Sequence, residues 1–174
     1  MSTNFQFMQS QWPTIFDRLS RAEKMVVTDP RGSLTYARMA LELIVNWMYN
    51  NDPDLELPYD TSLNALMKNP DFKDQLSHKL YHETDLVRKV GNFAIHNREV
   101  SGKDSEKIIY NLFYFSRWFA RSYAQEDIKS SGPFDFSVIP AEGEASLSRK
   151  QISDLQKKFD AEIEEFQDEL KRTQ

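Results

Sequence analysis

Apolar residues recur at helical spacing along most of the chain. After Pro13, which suits the first turn of a helix, they follow at steps of three or four residues until residues 28–30 interrupt the pattern. A second and more apolar stretch, residues 34–51, carries one broad apolar face and ends in the polar residues that precede Pro53. These patterns predict two helices, and we expect the second to be the central one.

Further helices are predicted downstream. Thr61 or Ser62 can cap a short helix, and Pro70 can begin another. The helical pattern then continues through residues 80–94. Residues 103–124 are aromatic on more than one face, so we expect that helix to be largely buried. The chain is therefore predicted to be all-α, with a core rich in aromatic side chains.

Two segments near the C-terminus differ from this pattern. In SSGPFDFSVIP apolar and polar residues alternate, which predicts a short extended segment. A charged amphipathic helix follows, with its apolar residues at a mean step of 3.6: Ile152, Leu155, Phe159, Ile163, Phe166 and Leu170. We expect a helical bundle over residues 1–128, an extended segment and linker over 129–145, and the charged helix over 146–174, leading to further domains.

Composition and charge narrow the classes of function. The formal net charge of −5 gives no global basic excess, so binding to nucleic acid would need a local patch. The absence of cysteine excludes disulfides, thiolate zinc sites and cysteine nucleophiles. No secretory signal and no apolar stretch of membrane-spanning length is recognisable. We expect a cytoplasmic protein without membrane contact.

Common cofactor motifs are not found in the sequence. Neither GxxxxGK[ST] nor GxGxxG occurs, so the usual phosphate-binding loops are not recognisable. His78 and His82 are four residues apart and could meet on one helix face, but they lack a recognisable set of further ligands. We predict that they lie at the surface and that the chain has no metal site. The acidic residues of 162–169 are predicted to face solvent.

The stretch RKVGNFAIHNR, residues 88–98, concentrates the candidate chemistry. On a helix Arg88, Asn92 and His96 form one polar stripe. Gly91 costs about 1 kcal/mol against alanine in a helix interior, which predicts a close approach by another helix. Asn92 and His96 could hold the following turn by hydrogen bonds; alternatively, His96 could act as a general acid or base while Arg88 steadies a phosphate. The residues alone favour the structural interpretation.

A family resemblance links these segments. NFQF, RAEKMVVTDPRGSLTYARMALELIVNWMY, DLVRKVGNFAIHN, RWFARSYA and FSVIP, followed by a charged helix, occur in that order. This order resembles the N-terminal region of the R subunits of type I restriction enzymes. The resemblance implies an all-helical module of a prokaryotic cytoplasmic enzyme, placed before its nuclease and its DNA-translocating motor. ATP and Mg²⁺ would belong only to those downstream domains, whose motifs match no position here.

The predicted helical module is also similar to the HEPN superfamily, which implies a HEPN-like helical bundle. Ribonuclease members carry an arginine, then a polar residue and, after three intervening residues, a histidine. Asn92 and His96 match the last two elements, but Gly91 stands where the arginine would be, and Arg88 lies one turn too early. Loss of that cation removes the expected stabiliser of the transition state. The resemblance therefore implies a scaffold that retains the fold without the chemistry.

Three functions follow as expectations. The first is a non-catalytic interaction module that contacts the other domains of the R subunit and the modification and specificity subunits, and reaches DNA through the parent complex. The second is a metal-independent RNase with His96, Asn92 and Arg88 as its catalytic candidates, or a stand-alone defence or toxin-type protein. The third is direct DNA contact, although scattered surface cations are the simpler interpretation. Its candidates are Arg98, Lys103, Lys107, Arg117 and Arg121.

Overall fold

Helices make up all of the regular secondary structure in the residues that the structure describes. The computed structural model describes residues 2–96, 99–128, 132–141 and 149–173. The helices are α1 (Pro13–Lys24), α2 (Pro30–Asn51), α3 (Leu63–Lys68), α4 (Pro70–Lys73), α5 (His78–Ile95), α6 (Gly102–Tyr123) and α7 (Arg149–Thr173). Two 3-10 turns lie at Gln6–Met8 and Phe136–Val138. The all-α prediction is confirmed.

The helix boundaries follow from local capping chemistry. The side chain of Ser62 accepts a hydrogen bond from the Ala65 amide at 3.2 Å and caps α3, as predicted. Pro70 begins α4, where its missing N–H costs nothing. Ser101 and Asp104 form a reciprocal capping box at the start of α6, with distances of 2.9 and 3.2 Å. These caps fix where α3, α4 and α6 begin.

The central element of the fold is α2. It packs against α1, α5, α6 and α7, which explains why its sequence is apolar over a broad face. Small side chains allow the close approaches: the Ser33 hydroxyl donates to the Ala22 carbonyl at 2.7 Å and accepts from Ser105 at 2.6 Å. All three helices α1, α2 and α6 thus share one buried hydrogen-bonded chain. The prediction that this helix is central is confirmed.

The segment around Phe134 and Phe136 differs from the predicted alternation. Asp135 and Ile139 have extended backbone, but residues 136–138 form a 3-10 turn between them. The cause is local, because the Asp135 carboxylate accepts hydrogen bonds from the Ser137 amide at 2.9 Å and from its hydroxyl at 2.6 Å. Phe134 is therefore buried, whereas Phe136 is 52% exposed. The remainder of the predicted segment and linker, residues 129–131 and 142–145, lies outside the described residues.

A hydrogen-bonded asparagine attaches this segment to the bundle. The Glu23 carboxylate, buried in α1, accepts from the backbone amide of Asn4 at 3.1 Å and from its side chain at 2.9 Å. The Asn4 side-chain oxygen accepts in turn from the Asp135 amide at 2.8 Å. Asn4 thereby joins the segment around Asp135 to α1.

The charged helix α7 packs on α2 with the apolar face that the sequence predicts. Ile152, Phe159, Ile163 and Leu170 are buried, and the acidic side chains of residues 162–169 are exposed, as expected. A buried amide fixes the register, because Gln167 donates to the Asn46 side chain and to the Thr61 carbonyl, both at 3.0 Å. Among the described residues, no helix is both long and apolar enough to cross a membrane. The three predicted units stay a prediction.

A polar cluster joins the C-terminal ends of α2 and α6. The Tyr123 hydroxyl lies 2.6 Å from the Asp52 carboxylate, and the Gln75 amide donates to the same oxygen at 3.3 Å. Burial opposes ionisation of Asp52, but hydrogen bonds from Tyr123, the Asp54 amide and Gln75 outweigh it and lower the Asp52 pKa. Burial and the neighbouring carboxylate raise the pKa of Tyr123. Both shifts favour the folded state near neutral pH.

We expect Tyr123→Phe to lower the free energy of unfolding by about 1 kcal/mol at pH 7. Because the Asp52 pKa is lowered in the folded state, the contribution of Asp52 to the free energy of unfolding is lost as pH falls through that pKa. Because the Tyr123 pKa is raised, the contribution of Tyr123 is lost as pH rises above about 10. The difference between wild type and variant should therefore shrink at both extremes. Urea unfolding at pH 3, 7 and 10.5 measures this, with the fully exposed Tyr59→Phe as control. A difference that is constant with pH would contradict the assignment.

Candidate functional site

Gly91 of α5 lies directly against Arg38 of α2. A Cβ atom at this position would lie 2.7 Å from the Arg38 Cβ and 3.2 Å from its Cγ and Cδ. Such distances leave no room for a side chain, so the predicted close helix approach is confirmed. The Arg38 stem lies across the glycine, and its guanidinium Nη1 lies 3.2 Å from the Glu42 carboxylate. Burial raises the Glu42 pKa, and the Arg38 charge opposes that shift.

Arg88 belongs to the packed part of α5. Its residue surface is 9% exposed, and its Nε donates to the Asp85 carboxylate at 2.9 Å. The Lys89 ammonium lies 3.2 Å from the other Asp85 oxygen. Burial of Asp85 opposes its ionisation, but Arg88 and Lys89 outweigh burial and lower the Asp85 pKa. The Arg88 guanidinium is therefore occupied by a carboxylate of its own helix.

Asn92 and His96 continue the stripe toward the helix end. Asn92 is half-buried, and its backbone carbonyl accepts from the His96 amide at 3.1 Å. His96 is the C-cap residue and is exposed. It lies eight residues after Arg88, about 12 Å along the helix axis at 1.5 Å per residue. A buried, paired arginine at that distance is badly placed to act with His96 on one phosphate.

The following turn that Asn92 and His96 are predicted to hold, residues 97–102, begins with Asn97 and Arg98. Those two residues lie outside the described residues, so this part stays a prediction. Arg98 was also the first of the predicted nucleic-acid contacts.

The other four predicted cations lie on one face of α6. Together with two tyrosines they form the outward stripe of the helix, which we call the α6 ridge. Its residues follow one another at steps of four and three: Lys103, Lys107, Tyr110, Tyr114, Arg117 and Arg121. The opposite side is buried: Ser105, Ile108, Ile109, Leu112, Phe115, Ser116 and Phe119. The structure therefore brings the cations together with two tyrosines that are not among the predicted contacts. The regular step was the signal that could have identified them.

Aromatic contacts hold the middle of the α6 ridge. The Lys107 ammonium lies 5.2 Å from the Tyr110 ring centre, and the Arg117 guanidinium lies 4.7 Å from the Tyr114 ring centre. Phe136 stacks on Tyr110 with 5.8 Å between ring centres and 13° between planes. Arg117 also donates to the Gly132 carbonyl at 3.4 Å. An exposed aromatic ring thus lies between two pairs of cations.

The two histidines at the start of α5 meet as the sequence allowed. His78 and His82 are both exposed, and their Nε2 atoms lie 3.1 Å apart. The prediction of a surface position is confirmed. Within the described ranges, no three His, Asp or Glu side chains come together as a metal-binding group.

We expect Gly91→Ala to destabilise the protein by about 2 kcal/mol. Overpacking costs about 1–3 kcal/mol, and a contact this short against a Cβ puts the cost near the upper end, whereas alanine regains about 1 kcal/mol of helix propensity. Gly102→Ala is the matched control, because its added Cβ would lie 3.7 Å from the nearest atom, an ordinary contact. Urea unfolding should show the first variant destabilised and the second unchanged or slightly stabilised. Equal effects at both glycines would show that the contact with Arg38 is unimportant.

Comparison with known proteins shows that Gly91 and the α6 ridge both lie within the region that matches one family. Residues 20–124 match the model of a family described as Domain of unknown function (DUF4145). The match begins within α1, includes α2 to α6 and ends at the C-cap of α6, so it contains both Gly91 and the α6 ridge. No curated protein and no solved structure matches the chain. Since the matched region covers more than half of its length, the chain belongs to the DUF4145 family.

Proposed function

We propose that the chain is a non-catalytic, HEPN-like interaction module from the N-terminal region of a type I restriction enzyme R subunit. The observation that carries this proposal is the packing of Gly91 against Arg38. The position where a HEPN ribonuclease has its catalytic arginine is here an interior contact between two helices. A side chain of any size at that position would separate α5 from α2.

The nearby arginines do not replace the missing cation. Arg38 is paired with Glu42, and Arg88 is paired with Asp85, in both cases with little exposed side-chain surface. Breaking a buried ion pair by removing one partner typically costs about 3–5 kcal/mol, so neither arginine is readily released to a substrate. His96 keeps an exposed side chain at the helix end but has no cation beside it on α5. This arrangement supports a scaffold more than a nuclease.

The module contacts the other domains of the R subunit and the modification and specificity subunits. ATP and Mg²⁺ serve the downstream motor and nuclease, and the parent complex acts on DNA in the prokaryotic cytoplasm. Support for these contacts comes from the ordered sequence resemblance. The N-terminal segment and α7 pack around that matched region and complete the module.

We expect the purified chain, immobilised by a tag, to retain the modification and specificity subunits of its own genome after nuclease treatment. His96→Ala should retain them equally, because the proposed role needs no catalysis. The matched assay is cleavage of a single-stranded RNA in EDTA, for which both proteins should be inactive. Absence of subunit capture would contradict the interaction role. RNA cleavage that disappears in a folded His96→Ala variant would establish the ribonuclease alternative instead.

A further inference from the structure

The α6 ridge has a charge opposite to that of the whole molecule. The chain has a formal net charge of −5, yet the charged residues of the ridge are all cations: Lys103, Lys107, Arg117 and Arg121. Acidic residues occur only beside it. Asp104 is engaged in the capping box, and Glu106, half-buried, lies at the edge of the stripe. A local positive stripe on an acidic protein is the patch that binding to a phosphate backbone requires.

The spacing of the cations fits a linear polyanion. Lys103 and Lys107 form one pair near the start of α6, and Arg117 and Arg121 form a second pair near its end. At 1.5 Å per residue the ridge is about 27 Å long, with the pair centres about 21 Å apart. A stacked strand rises about 3.4 Å per nucleotide, so the ridge spans about eight nucleotides.

Phe136 supplies a stacking surface between the two pairs. One face of its ring lies on Tyr110, and 52% of the residue remains exposed. The turn that carries it is fixed on both sides, by the burial of Phe134 and by the hydrogen bonds of Asp135 to Ser137. Exposed aromatic rings beside cations are the usual platform for bases of single strands, whereas a duplex keeps its bases inside. The ring therefore favours a single strand over a duplex.

We propose that the α6 ridge binds single-stranded DNA, with its four cations on phosphates and Phe136 stacked on a base. The choice of DNA over RNA rests on the proposed function, in which the parent complex acts on DNA. Glu83 and Asp135 at the margins of the α6 ridge weaken its positive potential, so measurable binding requires low salt. The sequence of the strand is not read, because stacking and phosphate contacts are common to all bases.

Binding of the full chain to a labelled 15-nucleotide oligo(dT), followed by fluorescence anisotropy, tests the phosphate contacts. Each phosphate neutralised on a single strand contributes about −0.7 to the slope of log affinity against log salt. Four contacts predict a slope of about −2.8, or about 50-fold weaker binding at 200 mM than at 50 mM NaCl. The double variant Lys103→Glu, Lys107→Glu should flatten the slope by about 1.4. Lys103 lies in the first turn of α6, where an acidic residue is favourable, and Lys107 is exposed, so the variant should stay folded.

The matched charge control is Lys157→Glu, Lys158→Glu on the exposed side of α7, which should bind as wild type does. Absence of binding at 50 mM salt, or equal losses in both double variants, would overturn the proposal. Competition by polyglutamate as effective as that by oligo(dT) would also overturn it, because the site would then be a general polyanion surface.

Phe136→Ala tests the stacking contact separately. It should weaken binding at least about fivefold and leave the salt slope unchanged. Phe93→Ala on α5, whose side chain is similarly exposed at 45%, is the control and should bind normally.

A duplex of the same length should bind less tightly than the single strand. Equal duplex binding, an inert Phe136→Ala, or RNA binding more than tenfold tighter than DNA would each contradict the assignment. Subunit capture is measured after nuclease treatment, so the two proposals fail independently.

Discussion

The contact between Gly91 and Arg38 is the constraint on which the arrangement of the helices depends. All four long helices other than α2 pack against α2, and on α5 the glycine lies directly against the arginine stem of α2. Arg38 is in turn held beside Glu42, whose raised pKa also reflects the charge of Asp160 on α7. A change at this contact would therefore affect α5, α2 and the docking of α7 together.

Under the function that we propose, the same contact also limits what the helix can do chemically. In the HEPN-like module that we propose, a ribonuclease would need a cation at the position of Gly91, whereas the packing of α5 on α2 needs the absence of a side chain there. One residue cannot meet both requirements. The pairing of Arg88 with Asp85 is consistent with this, because the nearest arginine on α5 stabilises its own helix. The polar stripe therefore contributes to the fold, and the surface with unbalanced charge lies on α6.

Much of the fold could be predicted from the sequence because the determining signals are local. A few neighbouring residues determine the helix starts at Ser62 and Pro70 and the apolar face of α7. They also suffice to predict that a glycine inside α5, Gly91, marks a close contact with another helix. Partners distant in the chain could not be predicted. Arg38 lies 53 residues before Gly91, and only the packing of two helices reveals which side chain covers the glycine.

The candidate site was partly within reach of the sequence. All four of its cations are predicted from the sequence. Their grouping into the α6 ridge becomes visible only when the spacing of four and three residues is extended to Tyr110 and Tyr114. The exposure of Phe136 could not be inferred from alternation, because a side-chain hydrogen bond of Asp135 replaces the extended backbone by a turn. The spacing of Asp85 and Arg88, three residues apart on a helix, is by itself a sequence signal for their pairing.

A double-mutant cycle between positions 38 and 91 tests the central claim most directly. Arg38→Gly removes the Cβ that Gly91 faces, so Gly91→Ala should become neutral or stabilising by up to about 1 kcal/mol in that background. The coupling free energy measured by urea unfolding should then exceed about 1 kcal/mol. Effects that add within about 0.5 kcal/mol would contradict the account, because the glycine would then not be required by the contact with Arg38.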